Sequence, residues 1–319
     1  MDKLYTIIIA AGKGTRMNSE HTKLVQKIYG KEMIKRVCQT AEEIGSEEVI
    51  TIVGHKKEEI KKALKDFENI SYAEQEEQKG TADAVMKGLP KLEGKDGRVI
   101  ILYGDVPLIR ASTVKNMLEM NIRNKEVLTV LTADIENPIG YGRIVRDENG
   151  RIIKIVEQAD LTINEENIKE INAGIYCVDL KTLRETLAEI TNDNAQGEYN
   201  LPDIVKIAIA KGLNVGTYKL KDMTEILGIN DRIQLELVTR VMQMRINIGH
   251  MKNGVTIEDR NSTYIYDDVE IGKDTVIGPN TVIKDGVRIG KDCHIGYNCY
   301  ISENTKIEDG TIIADNTIM

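Results

Sequence analysis

Short apolar runs alternate with amphipathic stretches from the N-terminus to about residue 225. Short apolar runs indicate strands, and apolar positions three and four apart indicate helices. The predicted strands are Thr6–Ala10, Glu48–Val53, Val99–Tyr103 and Leu128–Thr132, and the clearest predicted helices are Met33–Ile44 and Lys57–Phe67. This alternation predicts an α/β fold, Rossmann-like, with a mixed and mostly parallel sheet.

Two later runs, Gly142–Val145 and Ile152–Val156, flank the turn-forming stretch Asp147–Gly150. Two strands joined by a short polar turn form a β-hairpin. We expect this hairpin to form a wall beside a ligand cleft rather than part of the central sheet.

The pattern becomes helical after about residue 229. Ile233, Leu237, Val241 and Met244 recur at helical spacing, which predicts one long helix over Asp231–Ile248. We interpret this apolar stripe as core packing rather than as a binding surface.

A six-residue period governs the rest of the chain. Isoleucine occurs at positions 271, 277, 283, 289, 295, 301, 307 and 313, and a small or β-branched residue stands two positions before each. Residues two apart on a strand share a face, so both series point inward. This period predicts a parallel β-helix of hexapeptide repeats, which an open sandwich does not explain. Cys293 and Cys299 then become core positions rather than a metal pair.

The repeat continues to the last residue, where Thr317 and Met319 occupy the next inward positions. Solenoids usually end in an atypical cap. We therefore expect either a shortened chain or an end covered by oligomer contacts. The predicted domains are residues 1–228, a linker helix over 229–252, and the β-helix over 253–319.

Composition narrows the possible functions. Hydrophobic residues make up 41% and charged residues 29% of the chain, as in an ordinary globular protein, and the net charge of −8 disfavours nucleic acid as a partner. No apolar stretch is long enough to cross a bilayer, the N-terminus has no leader pattern, and the four cysteines form no close pair. These features predict a cytoplasmic protein.

The first predicted strand runs into a glycine-rich basic loop that contains Gly12, Gly14 and Arg16. Main-chain N–H groups at glycines can approach phosphate oxygens, and basic side chains neutralise the charge. Taken alone, the loop predicts an ordinary turn about equally well. Asp105 directly follows another predicted buried strand, where open α/β sheets bind ligands. Without further evidence, a solvated turn aspartate is an equally good interpretation of Asp105.

The motifs together are more specific than each one alone. In order they are Ile7–Met17, Lys23, Gly30–Met33, Gln75, Gln78–Ala84, Leu102–Leu108, Gly140–Arg143, Val156–Glu157, Asn172–Gly174, Asn192–Tyr199 and Gly228–Arg232. This set resembles the N-acetylglucosamine-1-phosphate uridyltransferase family of the GlmU type, over essentially the whole chain. The resemblance implies a left-handed β-helix, a homotrimer formed through it, and Mg²⁺-dependent transfer of UMP from UTP to N-acetylglucosamine-1-phosphate.

The resemblance also implies residue roles. Arg16, Lys23 and Asp105 would be catalytic, and Asp105 and Asn230 would bind Mg²⁺. The residues implied in substrate binding are Ile9, Ala10, Ala11, Gly12, Gly14, Lys23, Gln75, Gly80, Thr81, Tyr103, Gly104, Asp105, Gly142, Glu157, Asn172 and Asn230. On the bare sequence, Glu157 would be a surface charge of the hairpin and Asn230 a helix N-cap. Residues 192–199 match the family, but no chemistry follows from them.

Two positions depart from the family pattern. Thr22 stands where proline is usual, and Asp83 stands where histidine is common. The alternatives left open are another sugar-1-phosphate and nucleotide pair (glucose-1-phosphate with UTP or dTTP), an idle assembly subunit, and an acyltransferase. The family's acetyltransferase activity uses residues of later coils, so we expect this chain to lack it.

Overall fold

The computed structural model describes residues 3–319. Contacts divide them into two compact units: residues up to Gln26 with Met33–Asp231, and Lys27–Glu32 with Arg232–Met319. The helices are α1 (Met33–Glu43), α2 (Lys57–Ala63), α3 (Thr81–Gly88), α4 (Ala111–Arg123), α5 (Leu180–Leu187), α6 (Asp203–Ala210) and α7 (Arg232–Lys252). Helix α2 ends one turn before the predicted Phe67.

The strands of the first unit build one nine-stranded sheet. They are β1 (Leu4–Ala10), β4 (Glu48–Val53), β5 (Ile70–Glu74), β6 (Arg98–Tyr103), β7 (Leu128–Asp134), β8 (Arg143–Arg146), β9 (Ile152–Val156), β10 (Glu170–Asp179) and β11 (Val215–Lys219). The main order is β11-β7-β10-β6-β1-β4-β5. Strands β1, β4, β5 and β6 run parallel to their neighbours among these four, and β10 is antiparallel to β6 and β7.

The central strands are buried on both faces, as expected where helices cover a parallel sheet. Ile7, Ile50 and Ile101 have no exposed surface and belong to one hydrophobic cluster. The predicted hairpin is formed by β8 and β9, which pair antiparallel. Its strand β8 also pairs with β10, so the hairpin belongs to the same sheet, and the expectation that it lies outside the central sheet is wrong. The predicted mixed, mostly parallel α/β architecture is confirmed.

The second unit is built from two-residue strands. After a small hairpin of β2 (Lys27–Ile28) and β3 (Lys31–Glu32), they are β12 (Thr256–Ile257), β13 (Tyr264–Ile265), β14 (Glu270–Ile271), β15 (Val276–Ile277), β16 (Val282–Ile283), β17 (Arg288–Ile289), β18 (His294–Ile295), β19 (Tyr300–Ile301), β20 (Lys306–Ile307) and β21 (Ile312–Ile313). From β13 to β18, each strand pairs in parallel with the strand eighteen residues later, as in Ile265 with Ile283. Three hexads therefore make one coil, and the predicted left-handed β-helix is confirmed.

The corners of the coils repeat as strictly as the strands. Asp274, Asn280, Asp292, Asn298 and Asn304 adopt positive φ, at six-residue steps or multiples of them. Aspartate and asparagine tolerate this left-handed conformation better than other non-glycine residues. The intervening corner position is a glycine, at residue 286, again with positive φ. The inward residues stack into a separate core that includes the buried Cys293 and Cys299.

The repeat begins earlier than the isoleucine period indicates. Ile257 and Ile265 already occupy inward, buried positions. They lie eight residues apart rather than six, because the corner between them is two residues longer. This insertion hides β12 from a search for a strict period, whereas Ile265 lies six residues before Ile271 and fits it.

The interpretation of the α7 stripe as core packing is wrong in part. Ile233 is 80% exposed and Leu237 is 47% exposed. The buried side of the helix carries amides instead: Gln243 Nε2 donates to the carbonyl of Thr263 at 2.9 Å, and Asn247 Nδ2 donates to the same carbonyl at 2.9 Å. These amides also bond the carbonyl of Arg260. Hydrogen bonds to main-chain carbonyls, rather than a continuous apolar stripe, attach α7 to the first coil.

Within residues 3–319, no helix is both long and apolar enough to span a membrane.

Candidate functional site

The glycine-rich loop begins at the carboxyl edge of the parallel strands. Ala10 and Ala11 are buried at the end of β1, and Gly12 is exposed. The N–H of Gly104, just past β6, donates to the carbonyl of Ile9 at 3.0 Å. The loop after β1 and the loop after β6 therefore lie side by side, at the edge where open α/β sheets bind ligands.

Gly14 makes room for a lysine. Its φ of 61° lies in the left-handed region, and a Cβ atom there would come within 3.1 Å of Lys23 Cγ. Glycine is the residue that accepts both conditions. The side chain of Lys23 therefore packs against the loop and is buried.

The Lys23 ammonium lies between two oxygen atoms from distant parts of the chain. It donates to Asp105 Oδ2 at 2.6 Å and to Asn230 Oδ1 at 3.2 Å. The carboxylate is about one-fifth exposed, so the pair is only partly screened by water. We call Lys23, Asp105 and Asn230 the Lys23 cluster.

A main-chain hydrogen bond explains how Asn230 reaches this position. The N–H of Ile229 donates to the carbonyl of Asp105 at 3.0 Å. A side chain 207 residues from Lys23 in sequence is thereby placed beside it. Sequence spacing carries no trace of this contact.

Thr22 is compatible with the conformation that proline would take. Its φ is −60°, and its N–H donates to Glu59 Oε2 at 2.9 Å. Proline fixes φ near this value but has no N–H. The departure from the family pattern at this position is therefore matched by one additional hydrogen bond.

Gln75 and Gly80 lie together beside the start of α3. Gln75 is buried, and its Nε2 donates to the Gly80 carbonyl at 3.0 Å and to Asp83 Oδ2 at 2.7 Å. A Cβ atom at Gly80 would come within 2.4 Å of the Tyr199 carbonyl oxygen. The hydroxyl of Thr81 accepts from the N–H of Leu201 at 2.9 Å.

The stretch over residues 192–199, to which the sequence assigned no chemistry, supports this region from outside. The N–H of Tyr199 donates to the Lys79 carbonyl at 2.8 Å, and the Tyr199 carbonyl accepts from Ala82 at 2.9 Å. These bonds hold the main chain on both sides of Gly80. The segment thus has a structural role next to the predicted base-binding residues.

The residues predicted to hold the sugar also meet. A Cβ atom at Gly142 would lie 3.2 Å from Glu157 Oε1, so a glycine leaves the carboxylate free of a neighbouring side chain. The N–H of Asn172 donates to the Gly142 carbonyl at 2.9 Å, and its Nδ2 donates to Tyr176 Oη at 2.7 Å. Asn172 stands where the pairing of β10 with β7 shifts register.

The phenol of Tyr103 interacts with one residue from each of the three groups described above: Thr81 beside Gln75, Asp105 of the Lys23 cluster, and Glu157 beside Gly142. Burial raises the pKa of its phenol, a hydrogen bond with Thr81 lowers it, and the carboxylates of Glu157 and Asp105 raise it further. Burial likewise raises the pKa of Glu157, with smaller contributions from nearby acidic residues. Perturbed groups of this kind cluster at functional sites.

Comparison with known proteins identifies the fold. The model of the family described as nucleotidyl transferase matches residues 5–238, and that of the hexapeptide repeat of succinyl-transferase matches residues 268–303. The chain belongs to the nucleotidyl transferase family.

Curated relatives carry the same resemblance. The protein named "Bifunctional protein GlmU" from Acetivibrio thermocellus is 47% identical over 275 residues, which are 86% of this chain and 59% of the relative. The protein of that name from Listeria welshimeri is 45% identical over 86% of this chain and 60% of its own length. The resemblance inferred from the motifs is confirmed, and the chain spans about three-fifths of the length of these relatives.

A solved structure from Bacillus anthracis, named for glucose-1-phosphate thymidylyltransferase, matches with a TM-score of 0.60 and 20% identity. The match covers 75% of this chain and 94% of the other. At this identity the likeness concerns the fold alone.

Not every predicted residue of the nucleotidyl transferase site makes contact with the others. Arg16 is exposed on a short 3₁₀ turn, Thr15–Met17. Its guanidinium has no hydrogen-bond or ion-pair partner among the residues that the structure describes. It belongs to the same loop as Gly14.

Sequence reasoning missed two residues beside this site. Gln78 Nε2 donates to the Ala11 carbonyl at 3.2 Å and joins the two loops. Lys13, together with Gly54, His55 and Gln75, lines a cavity of about 570 Å³. Lys13 lies in the glycine-rich loop, but the sequence assigns it no role, because one more basic residue in a loop is a weak signal.

Proposed function

We propose that this chain transfers UMP from UTP to N-acetylglucosamine-1-phosphate, giving UDP-N-acetylglucosamine and pyrophosphate. The observation that carries the proposal is the Lys23 cluster, where a carboxylate, an amide oxygen and an ammonium from three distant segments converge at the carboxyl edge of the sheet. The relatives named for GlmU and the family-typical residues on both sides of this cluster support the choice of substrates.

The reaction needs no general base on the protein. An oxygen of the sugar phosphate, already an anion, attacks the α-phosphorus of UTP. A new P–O bond forms as the bond to the β-phosphate oxygen breaks, and pyrophosphate leaves with the electron pair. Catalysis then consists of positioning the two substrates and stabilising charge.

The residues divide by position. Ile9, Ala10, Ala11, Gly12 and Gly14 hold the nucleotide along the loop after β1, and Gln75, Gly80 and Thr81 face the base. Tyr103 and Gly104 line the centre, and Gly142, Glu157 and Asn172 hold the sugar. Arg16 and Lys23 stabilise phosphate charge, since both lie in the basic segment that follows β1.

Asp105 and Asn230 have the chemistry to hold Mg²⁺. Their oxygens already converge on one cationic group, the Lys23 ammonium, at 2.6 and 3.2 Å. Carboxylate and amide oxygens are suitable ligands for this ion, which commonly takes its remaining ligands from phosphates and water. When bound, the ion would neutralise charge shared by the two phosphate-bearing substrates.

The β-helix offers a surface for assembly. The sheet of β13, β16 and β19 carries the outward residues Tyr264, Val282 and Tyr300, which continue to Ile318. The sheet of β14, β17 and β20 carries Glu270, Arg288 and Lys306 instead. We propose a cytoplasmic homotrimer in which copies bury the first row, since a self-complementary apolar face suits symmetric association.

Two experiments test these proposals. Pyrophosphate release from UTP with N-acetylglucosamine-1-phosphate and Mg²⁺, with glucose-1-phosphate as competitor, tests the reaction, and no release would indicate an idle subunit. Light scattering after size exclusion tests assembly: Tyr300→Glu should reduce the trimer to smaller species, whereas Lys306→Glu on the charged row should not. That the 319-residue chain alone lacks acetyl transfer stays a prediction.

A further inference from the structure

The side-chain amide of Gln75 is held in one orientation. Gln75 is 3% exposed, and its side chain donates two hydrogen bonds from the same atom: Nε2 donates to Asp83 Oδ2 at 2.7 Å and to the Gly80 carbonyl at 3.0 Å. An ionised carboxylate and a main-chain carbonyl can only accept hydrogen bonds. Neither partner could therefore bond the amide if it were turned by 180°.

The opposite end of the amide is free. Within residues 3–319, Gln75 Oε1 has no hydrogen-bond partner, and Gln75 lines the cavity of about 570 Å³. The N–H of Gly80 also has no partner within this range. Gln75 thus presents a hydrogen-bond acceptor, and the main chain of Gly80 offers a donor beside it.

The pyrimidine bases differ in how they meet such a pair. Uracil carries an N3–H donor next to the O4 acceptor. Cytosine carries an acceptor at N3 and an amino donor at position 4, so both groups are reversed at the same ring positions. A site that fixes an acceptor against N3 therefore favours uracil or thymine. With cytosine, the acceptor of Gln75 would face the N3 acceptor, and no hydrogen bond could form between them.

We propose that Asp83 is a positioning residue that selects an imide base, uracil or thymine, over cytosine by fixing the amide of Gln75. The inference deepens the proposed function and rests on it. Lys87 Nζ lies 3.9 Å from the second carboxylate oxygen of Asp83, one helical turn along α3. The histidine common at this position in the family can accept or donate, whereas the carboxylate can only accept.

The test compares variants that separate shape from chemistry. Asp83→Asn keeps the shape but adds a donor, so that the Gln75 amide can turn and still be bonded. Asp83→Glu changes the length but remains an acceptor only. Lys87→Gln removes the neighbouring charge and leaves the contact between Asp83 and Gln75 in place.

The readout is the ratio of kcat/KM for UTP to that for CTP, together with Kd values for UMP and CMP from calorimetry. We expect Asp83→Asn to lower the UTP preference about tenfold, mainly through KM, because a misdirected hydrogen-bonding group discriminates between substrates of similar shape. Asp83→Glu should retain most of the preference, and Lys87→Gln should leave it unchanged. Melting temperatures of the three variants show whether each is folded.

The outcomes separate the inference from the proposed function. An Asp83→Asn enzyme that prefers UTP as strongly as the unaltered enzyme overturns the inference and leaves the function standing. If the unaltered enzyme uses dTTP rather than UTP, the function is wrong, and the ratio of UMP to CMP binding still tests Asp83. A loss of preference in Asp83→Glu with none in Asp83→Asn would point to shape rather than to hydrogen-bond direction and would also overturn the inference.

Discussion

The β-helix and the Lys23 cluster encode structure in opposite ways. In the β-helix, one rule recurs every six residues: an inward isoleucine, a corner at positive φ, and a partner eighteen residues away. In the Lys23 cluster, each residue occurs once, and Lys23 and Asn230 are 207 positions apart. Stability in the first region is repeated and local, whereas the chemistry of the second depends on single side chains brought together by the whole fold.

This difference predicts where substitutions act. A core change in one coil should weaken that coil and its neighbours, because each repeat contacts mainly the adjacent ones. A change in the Lys23 cluster should have a modest effect on folding and a large one on turnover.

Replacing Asp105 with alanine should have the largest effect. The change removes the carboxylate that faces Lys23 and the proposed metal, so we expect turnover to fall about a thousandfold or more. The lost hydrogen bond should cost about 1–3 kcal/mol of unfolding free energy, because water can reach the vacated space. Pyrophosphate release and urea denaturation measure the two effects.

The matched control is Asp105→Asn, which keeps the shape and an oxygen but loses the charge. It should fold like the unaltered protein and still turn over slowly. Near-normal turnover of Asp105→Ala with Mg²⁺ present would contradict the assignment of Asp105.

Ile283→Ala tests the other side of the comparison. Ile283 is fully buried in the β-helix core, and removing a large aliphatic side chain from such a site costs about 2–5 kcal/mol. Hydrogen exchange followed by mass spectrometry should show faster exchange in the coils that contain and flank β16. Peptides covering β6 and Asp105 should exchange as before.

The control for Ile283→Ala is Lys306→Ala, which removes an outward-pointing side chain of the charged row of β14, β17 and β20. It should change exchange little. A uniform increase in exchange across both units after Ile283→Ala would show that the β-helix core does not behave as a local, repeated structure.

The difference between the repeated β-helix and the Lys23 cluster also explains which features the sequence predicts. The period of six predicts the β-helix. Strand β12 departs from the period because two residues are inserted between Ile257 and Ile265, whereas Ile265 in β13 fits it. The loops with Gly14 and Asp105 are visible because each follows an apolar strand. No local pattern places Asn230 beside Lys23, since the contact depends on a main-chain hydrogen bond between Asp105 and Ile229.

The clearest wrong prediction concerns α7, because the buried side of this helix carries polar amides. The apolar residues of α7 predict a buried stripe, but Ile233 is exposed, and the helix contacts the first coil through Gln243 and Asn247. Sequence patterns count apolar positions and cannot tell which amides will find main-chain carbonyls. Asp83 was visible as a departure from the family, but its contact with Gln75 was not.

The carboxyl of Glu157 should make KM for the sugar phosphate depend on pH, and glutamine at this position should remove that dependence. Burial raises the pKa of this carboxyl, so it takes up a proton at a higher pH than an ordinary glutamate does. As an acceptor for sugar hydroxyls it should lose strength on acidification, and KM for the sugar phosphate should rise about tenfold from neutral pH to well below the raised pKa. The effect on stability has the opposite sign. Because the pKa of Glu157 is raised in the folded state, the stabilising contribution of this residue is present at low pH and is lost as pH rises through the folded pKa.

The control is Glu157→Gln, which resembles the protonated form at every pH. Its KM should be high throughout and should vary only with ionisation of the sugar phosphate itself. The same pH profile in both enzymes would exclude Glu157 as the titrating group.

Thr22→Pro should have the smallest effect of these substitutions, because it removes one hydrogen bond and restricts the backbone to a φ that it already has. The φ of −60° already suits proline, so the substitution should not strain the loop, and proline reduces the freedom of the unfolded chain by about 0.4–1 kcal/mol. Against this gain, the N–H that donates to Glu59 is lost at a cost of similar size. We therefore expect a change in unfolding free energy of less than about 1 kcal/mol. Turnover should stay within about twofold of that of the unaltered enzyme, since the position of Lys23 depends on backbone geometry that both residues provide.

Glu59→Gln, which weakens the same hydrogen bond without adding proline, should be slightly destabilising. A large loss of turnover in Thr22→Pro, with Glu59→Gln unaffected, would mean that the loop must change conformation during the reaction, which a fixed φ would prevent.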